Sequence, residues 1–281
     1  MQLDHTRIVV RERSFSERLD LALRVMRVHF PSLAVAALVG CAPMVLFNNW
    51  LLGPVFDGLD LKWEPPLEFL FLNLLLVVWE TPLATSLMTL YLGQATFEEK
   101  PSWTRIARDF RSCLPQLIGV QLILRGLITL PMLTWLWLYA ARAYLNEVIL
   151  LERNPWRRRR RGVGRGRSKG SETDTMERAF DLHRSETGPL VAGWMASLVI
   201  GTLLMLAIWH GFWWLRATLF FEDALDRASY TIYWQVATWL VIGYFTVVRF
   251  LGYLDLRIRR EGWEIELRMR AEGERLERQL T

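Results

Sequence analysis

Residues 187–215, TGPLVAGWMASLVIGTLLMLAIWHGFWWL, run for 29 positions without an Asp, Glu, Lys or Arg. A helix on the surface of a soluble protein carries one apolar stripe; a helix that is apolar all round is buried in a core or surrounded by lipid. A bilayer core is about 30 Å thick and is crossed by roughly 20 apolar residues in helical form. Inside it the backbone must satisfy its own hydrogen bonds, so the stretch is predicted to be a helix. A membrane span at about 189–210 follows.

Working outward, residues 228–248 are also uncharged and predict a span at about 231–253. The stretch 211–230 between them sets Arg216 and Arg227 against Glu222, Asp223 and Asp226, and reads as an external loop. Toward the N-terminus, residues 28–56 carry no formal charge apart from His29, taken as neutral. They predict a span at about 31–52, with Pro43 as a kink and Asn48-Asn49 near its outer end. GPVFDGLDLKWEPP, residues 53–66, is acidic on balance and reads as a second external loop. Another span is expected over 67–93, where FLFLNLLLVVWETPLATSLMTLYLG (69–93) is interrupted by Glu80 and Pro82. In 94–113 the spacing of Trp103, Ile106 and Phe110 fits an amphipathic helix at the membrane interface, with Ser102 as a cap. Residues 114–151 are 38 long, or about 57 Å as helix, and both flanks are Arg-rich. A tight hairpin near Thr129-Leu130-Pro131, giving spans at about 114–130 and 131–151, keeps both flanks on one side.

These pieces predict an all-α, polytopic transmembrane bundle of about six spans with interfacial amphipathic helices and a basic cytoplasmic linker. The expected organisation is a cytoplasmic amphipathic segment over 1–30, spans one to four over 31–152, an Arg/Gly-rich linker over 153–175, an interfacial helix with spans five and six over 176–254, and a charged cytoplasmic tail over 255–281. The two longer external loops together hold three basic and six acidic residues, while nearly all other arginines fall on the opposite side. The positive-inside rule then places both termini in the cytoplasm, and the protein in the cell (inner) membrane. Residues 1–27 are too polar for a cleavable leader, so the first span is expected to serve as the targeting signal.

The net charge of +5 is concentrated in the linker, where nine basic residues and no acid lie between Arg153 and Lys169. Arg157, Arg158, Arg159, Arg160 and Arg161 invite a nucleic-acid reading. A base-reading face or aromatic platforms would be needed for that, and only Trp156 is near. Attraction to anionic lipid headgroups, at about 1 kcal/mol per basic residue, accounts for the run better. Gly162, Gly164, Gly166 and Gly170 lack the Gly-Lys-[Ser/Thr] of a phosphate loop. Cys41 and Cys113 have no metal-ligand spacing and read as two buried, reduced thiols. The histidines are isolated, and no nucleophile elbow occurs. No cofactor, metal or catalytic residue is therefore expected, and the chain reads as non-enzymatic.

Three charges fall where a bilayer midplane is expected: Glu80, Arg125 and Arg142. A lone charge there costs at least about 2.5–3.5 kcal/mol, so Glu80 is expected to pair with Arg142 or Arg125, with Asn146 and Glu147 extending the network. Such a cluster serves either as a proton or solute path or as polar glue between helices.

Three further segments stand out: Tyr144–Pro155 (YLNEVILLERNP), Arg178–Leu190 (RAFDLHRSETGPL) and Tyr253–Leu267 (YLDLRIRREGWEIEL). Together the chain resembles a group of multi-pass bacterial membrane proteins that includes the membrane domain attached to some glycerophosphoryl diester phosphodiesterases. Glu147, Glu152, Asn154, Pro155, Arg184, Ser185, Asp255, Arg257, Arg259, Glu261 and Gly262 occupy the matching places. The Arg-rich linker is an insertion relative to that pattern, and no phosphodiesterase domain is present, so that activity is not carried over. The matching residues are expected at the cytoplasmic interface. There Asp255, Arg257, Arg259 and Glu261 would pair with Glu152, Arg153 or Arg184 and act as a folding lock. The leading expectation is a membrane scaffold or assembly partner for another membrane protein. A permease using Glu80, Arg125 and Arg142 is the alternative, and a lipid-handling enzyme the third.

Overall fold

The computed structural model describes residues 13–57, 66–124, 144–152, 175–183, 187–221 and 225–261. Among these no strand occurs, and the order of elements is helical throughout. Four helices are long and apolar enough to cross a membrane: Phe30–Phe56, Leu67–Phe97, Gly188–Phe220 and Ser229–Arg259. The chain is therefore a multi-pass helical membrane protein. Residues 125–143, which hold the turn of the hairpin expected within 114–151, lie outside the described residues, as do the linker over 153–174 and the tail beyond 261.

The first helix, α1 (Phe15–Val28), starts with a capping box. The Ser14 hydroxyl accepts from the Glu17 backbone at 3.3 Å, and the Glu17 carboxylate accepts from the Ser14 backbone at 2.9 Å, so two otherwise orphaned donors are satisfied. Val28 closes α1, and α2 (Phe30–Leu52) restarts after His29 with Pro31 in its first turn, the one place where a missing N–H costs nothing.

The second crossing is made of α3 (Leu67–Ala84) and α4 (Ser86–Phe97), interrupted at Thr85. Pro82 removes a backbone donor in the middle of this dry segment. Hydroxyls cover the carbonyls around the break: Thr81 donates to Val77 O at 2.6 Å, Thr85 to Thr81 O at 2.7 Å and Ser86 to Pro82 O at 2.5 Å. Side chains that bond back to the preceding turn bend a helix while keeping it satisfied. At the same level α2 crosses so closely that a Cβ on Gly40 would run into the carbonyl of Ala84. Small residues at crossings let membrane helices approach to backbone contact.

Helix α5 (Trp103–Gln116) buries Ile106, Asp109 and Cys113 along one face and leaves Arg105, Arg108 and Arg111 exposed. Trp103 stacks on Tyr91 with ring centroids 5.6 Å apart. Ser102 stands at the N-cap but makes no side-chain cap bond; its backbone N–H donates to Gln94 instead, at 3.1 Å. A wider helical turn continues over Leu117–Leu124 beside α3. Helix α6 (Leu145–Glu147) likewise widens over Val148–Glu152, and α7 covers Thr175–His183.

Helix α8 (Thr187–Phe220) is 34 residues long, about 51 Å, and outlasts the expected span by a further ten residues. Nothing in 211–220 breaks a helix, and Arg216 finds its counter-charge in Asp226 across the following turn, at 2.6 Å. Phe221, with φ of 58° and 91% exposed, then stops it in the left-handed region. The last crossing is Ser229–Trp234 followed by α9 (Gln235–Glu261).

Burial divides the bundle. The most apolar window of α8 has none of its residues buried, against 67% for that of Ser229–Arg259. Helix α8 therefore lies on the outside of the bundle, its apolar surface turned to lipid, touching α9 where the Phe245 ring fills the space above Gly201.

Both ends of the described chain meet. The Arg13 backbone N–H donates to Asp255 at 2.9 Å, and the Tyr244 hydroxyl donates to the Leu19 carbonyl at 3.2 Å, so α1 runs antiparallel along the C-terminal half of α9. We call this the tail end and the opposite one the loop end. The largest apolar cluster sits toward the tail end, with Ala22, Val25, Leu92, Ile106, Leu150 and Leu251 among its buried residues. Cys41 and Cys113 are both free and buried.

Candidate functional site

Buried polar residues gather in two places. At the tail end, three acids fasten the segments that converge there. Glu152 accepts from Arg178 at 2.8 and 3.4 Å and from the Tyr253 hydroxyl at 2.8 Å, and lies 3.9 Å from Arg257. Asp255 takes the Arg13 backbone N–H and the Arg259 guanidinium, each at 2.9 Å, and Arg259 reaches on to the Arg13 carbonyl at 3.4 Å. Glu147 is fully buried and accepts from Arg249 at 2.6 Å. In a medium of low effective dielectric such pairs are strongly coupled, and a member left alone is costly.

Aromatic side chains set the shape around these pairs. Tyr144 stacks on His183 with centroids 5.7 Å apart. His183 accepts from the Tyr144 backbone at Nε2 (3.2 Å) and donates from Nδ1 to the Ala179 carbonyl (2.5 Å), which specifies a neutral ring. Gly252 makes room for this arrangement, since a Cβ there would meet the Tyr144 hydroxyl and, at 2.8 Å, the Arg18 guanidinium.

Of the residues singled out by the resemblance, the structure brings Glu152 to Arg257 and Asp255 to Arg259. Asn154, Pro155, Arg184, Ser185, Gly262 and the Glu261 side chain lie outside the described residues, as do Arg153 and Arg157 to Arg161. Sequence reasoning missed Arg13, Arg178 and Arg249 as partners. Arg178 sits within a quoted segment and Arg249 interrupts an otherwise uncharged run, so a signal existed for both.

The second polar region lies inside the membrane-crossing helices. Glu80 is 5% exposed, and the Asn48 side-chain amide donates to its carboxyl at 3.0 Å. Among the described residues Glu80 has no cationic partner; Arg125 and Arg142, expected there, lie outside the described residues. Among the described residues neither Asn146 nor Glu147 makes a hydrogen bond to Glu80. Glu147 pairs with Arg249, which is fourteen positions along α9 from Gln235, or about 21 Å. The neighbour of Asn48, Asn49, donates to the Thr231 carbonyl at 3.1 Å and accepts from Gln235 at 2.5 Å. The Asn48-Asn49 pair thus links α2 to both α3 and the last crossing.

Several atoms here have no hydrogen-bond partner: both amide atoms of Asn73, Oδ1 of Asn48, Oε1 of Gln235 and Nε1 of Trp239. Asn48, Asn73 and Gln235 are fully buried and Trp239 is nearly so. Near the tail end both amide atoms of Asn146 and Oε2 of Glu147 likewise have no hydrogen-bond partner. Asn73 and Gln235 were visible as amides within apolar runs but were not singled out.

Among the described residues no group of three or more His, Cys, Asp or Glu converges to hold a metal ion. No protein-family model, no curated protein and no solved structure matches the chain.

Proposed function

We propose that this chain is a non-enzymatic scaffold of a bacterial cell membrane, six spans with both termini cytoplasmic, on which another membrane protein assembles. The observation that carries the reading is the tail-end lattice of Glu147, Glu152 and Asp255 with their arginines. It joins the segment before α1, the 145–152 helix, α7 and α9 into one rigid face, which is what a docking platform requires. Of these residues Glu147, Glu152, Asp255 and Arg259 also carry the resemblance to the membrane domain of glycerophosphoryl diester phosphodiesterases. Exposed arginines of α5 and the run Arg157–Arg161 would hold that face against anionic headgroups.

Two measurements test this. Reporter tags at residues 1 and 281 should both report the cytoplasm, and a tag between 211 and 230 the other side. A photo-crosslinker at the exposed Phe180 of α7 should trap one discrete membrane-protein adduct in cells. A smear across many proteins, or termini on opposite faces, overturns the proposal.

A permease reading is favoured by one observation, the buried Glu80 carboxyl with an amide as its hydrogen-bond partner. Reconstituted vesicles separate the two. Solute flux above protein-free vesicles that disappears in Glu80→Gln establishes transport and sinks the scaffold.

A further inference from the structure

Among the four long apolar helices, α8 alone has no buried residue in its most apolar window. It leans on the last crossing by one face. Gly201 lies under the Phe245 ring, Met205 accepts from the Thr238 hydroxyl at 3.3 Å, and Trp209 donates to the Ser229 carbonyl at 2.9 Å. Farther along, Phe212 packs on Tyr233 and Arg216 pairs with Asp226. These positions recur every three or four residues and so form one side of the helix. Val199, Leu203, Ala207, His210 and Trp214 recur in the same way on the other side, and all five are exposed. Gly211 beside them is open. A Cβ there would meet nothing within 4 Å, whereas one on Gly201 would touch Phe245 at 3.2 Å.

Lipid tails can cover α8 only as far as hydrocarbon reaches. At the loop end Arg216, Asp226 and Arg227 gather at one level, with Arg227 donating to the Gly53 carbonyl at 3.1 Å. Charges mark where hydrocarbon stops. Helix α8 runs past them. Leu219, Phe220 and Phe221 follow Arg216 by three to five positions, or about 5–8 Å, and are 60, 70 and 91% exposed. An apolar surface that leaves the hydrocarbon and stays uncovered marks a contact with protein.

We infer that α8 is the surface through which two copies of this chain associate. A second α8 matches the first in length and, inserted the same way, in direction, so its apolar end reaches the same height. Pairing about a two-fold axis along the membrane normal sets Leu203, Ala207 and Trp214 against their counterparts, a closed arrangement that repeats no further. Ala207 and Gly211, four positions apart, are the small residues that let two membrane helices approach closely. The area suffices. Helix α8 is 34 residues long, so a face about 51 Å by 10 Å gives roughly 500 Å² per partner, about the 1,000 Å² in total that a specific interface needs. Helix α2, with 23 residues, presents only about two thirds of that. The inference goes beyond the scaffold reading and does not depend on it, since neither the position of the termini nor a partner at the tail end enters the argument.

The test uses the full-length protein in vesicles of phosphatidylcholine and phosphatidylglycerol, oxidised with copper phenanthroline, and the same variants oxidised in native membranes. Cys41 and Cys113 are buried, so an introduced thiol reports on its own position. Leu203→Cys and Ala207→Cys should give disulfide-linked dimers at least about tenfold more than Thr202→Cys, because the bond needs Cα atoms within about 7 Å. Thr202 is exposed but lies off that face. Single-molecule photobleaching in the vesicles should count two labels per spot for the wild type. Gly211→Leu, which the monomer accommodates because the position is open, should raise the dissociation constant by about tenfold or more. Should that variant not fold, the cysteine comparison decides alone. The assignment is overturned by a wild type with one label per spot at every protein-to-lipid ratio, by equal crosslinking from Thr202→Cys, or by a folded Gly211→Leu that pairs as tightly as the wild type. Crosslinks in native membranes that form only to a protein of another mass overturn it as well, and give the face to a different partner.

Discussion

Helix α9 carries both polar regions, and they are built on opposite plans. Its C-terminal half places Arg249, Asp255, Arg257 and Arg259 where each meets a counter-charge from another segment or from its own next turn. Its N-terminal half places Gln235 and Trp239 among amides of α2 and α3 that lack partners. Charges taken out of water must be paired, so the first arrangement behaves as a fastening, although Oε2 of Glu147 has no hydrogen-bond partner. A neutral amide without a partner costs less than a charge without one, so the second arrangement leaves polar atoms unmet at lower cost. The difference is between a region held by charge pairs and one held by neutral amide contacts between crossings.

Breaking the fastening should have the largest effect. Glu152→Ala strands Arg178, Arg257 and the Tyr253 hydroxyl, and is expected to cost about 3 kcal/mol or more of stability, read by thermal unfolding in detergent. Tyr253→Phe removes one hydrogen bond of the same set and should cost about 1 kcal/mol. An equal effect of the two would mean that the ionic contacts contribute nothing. Next comes the crossing that holds the amide region in register. Gly40→Val drives a side chain into the Ala84 backbone, which cannot give way, and should cost about 1–3 kcal/mol. A variant as stable as the wild type would show that α2 and α3 do not meet there.

The contrast is sharpened by putting the same apolar side chain into each region. Glu147→Leu leaves Arg249 without its acid and should destabilise the protein, whereas Asn73→Leu removes orphaned atoms. Asn73→Leu should be neutral or stabilising by about 1 kcal/mol, read by thermal unfolding in detergent. Loss of stability in both would show the amide region to be as firmly bonded as the tail end.

The smallest effect is expected outside the membrane, in the turn after α8. Burial alone would raise the Asp226 carboxyl, but hydrogen bonds from Arg216 and Ser229 outweigh it and hold the group below its ordinary value of 3.8. A depressed carboxylate contributes stability above its unfolded value and loses it as pH falls through the folded one. The turn should therefore loosen only below about pH 4. Hydrogen exchange of residues 225–231 should show it, and Asp226→Asn should remove that acid limb.

The crossings were legible because lipid imposes a one-dimensional code. The apolar runs at 31–52, 67–93 and 231–253 each correspond to a long apolar helix, since hydrocarbon selects apolar side chains whatever surrounds the helix. The end of α8 was misjudged because Arg216 was read as a surface charge. Its pairing with Asp226 lets the helix continue, and a pairing across a turn is not written in hydropathy. The polar partners were less legible still. Glu147 and Glu152 were recognised as important, yet Arg249, Arg178 and Arg13 were not assigned to this cluster.

Composition and the spacing of apolar runs determined that this chain is helical, lies in a membrane and crosses it repeatedly. Those properties follow from transferring each segment separately from water to hydrocarbon. Only the tertiary structure decided that α1 lies along α9, that Glu80 faces Asn48, and that Asn49 meets Gln235. Each of those depends on which helix is the neighbour and in what register. Both are settled by close contacts such as Gly40 on Ala84, between residues more than forty positions apart.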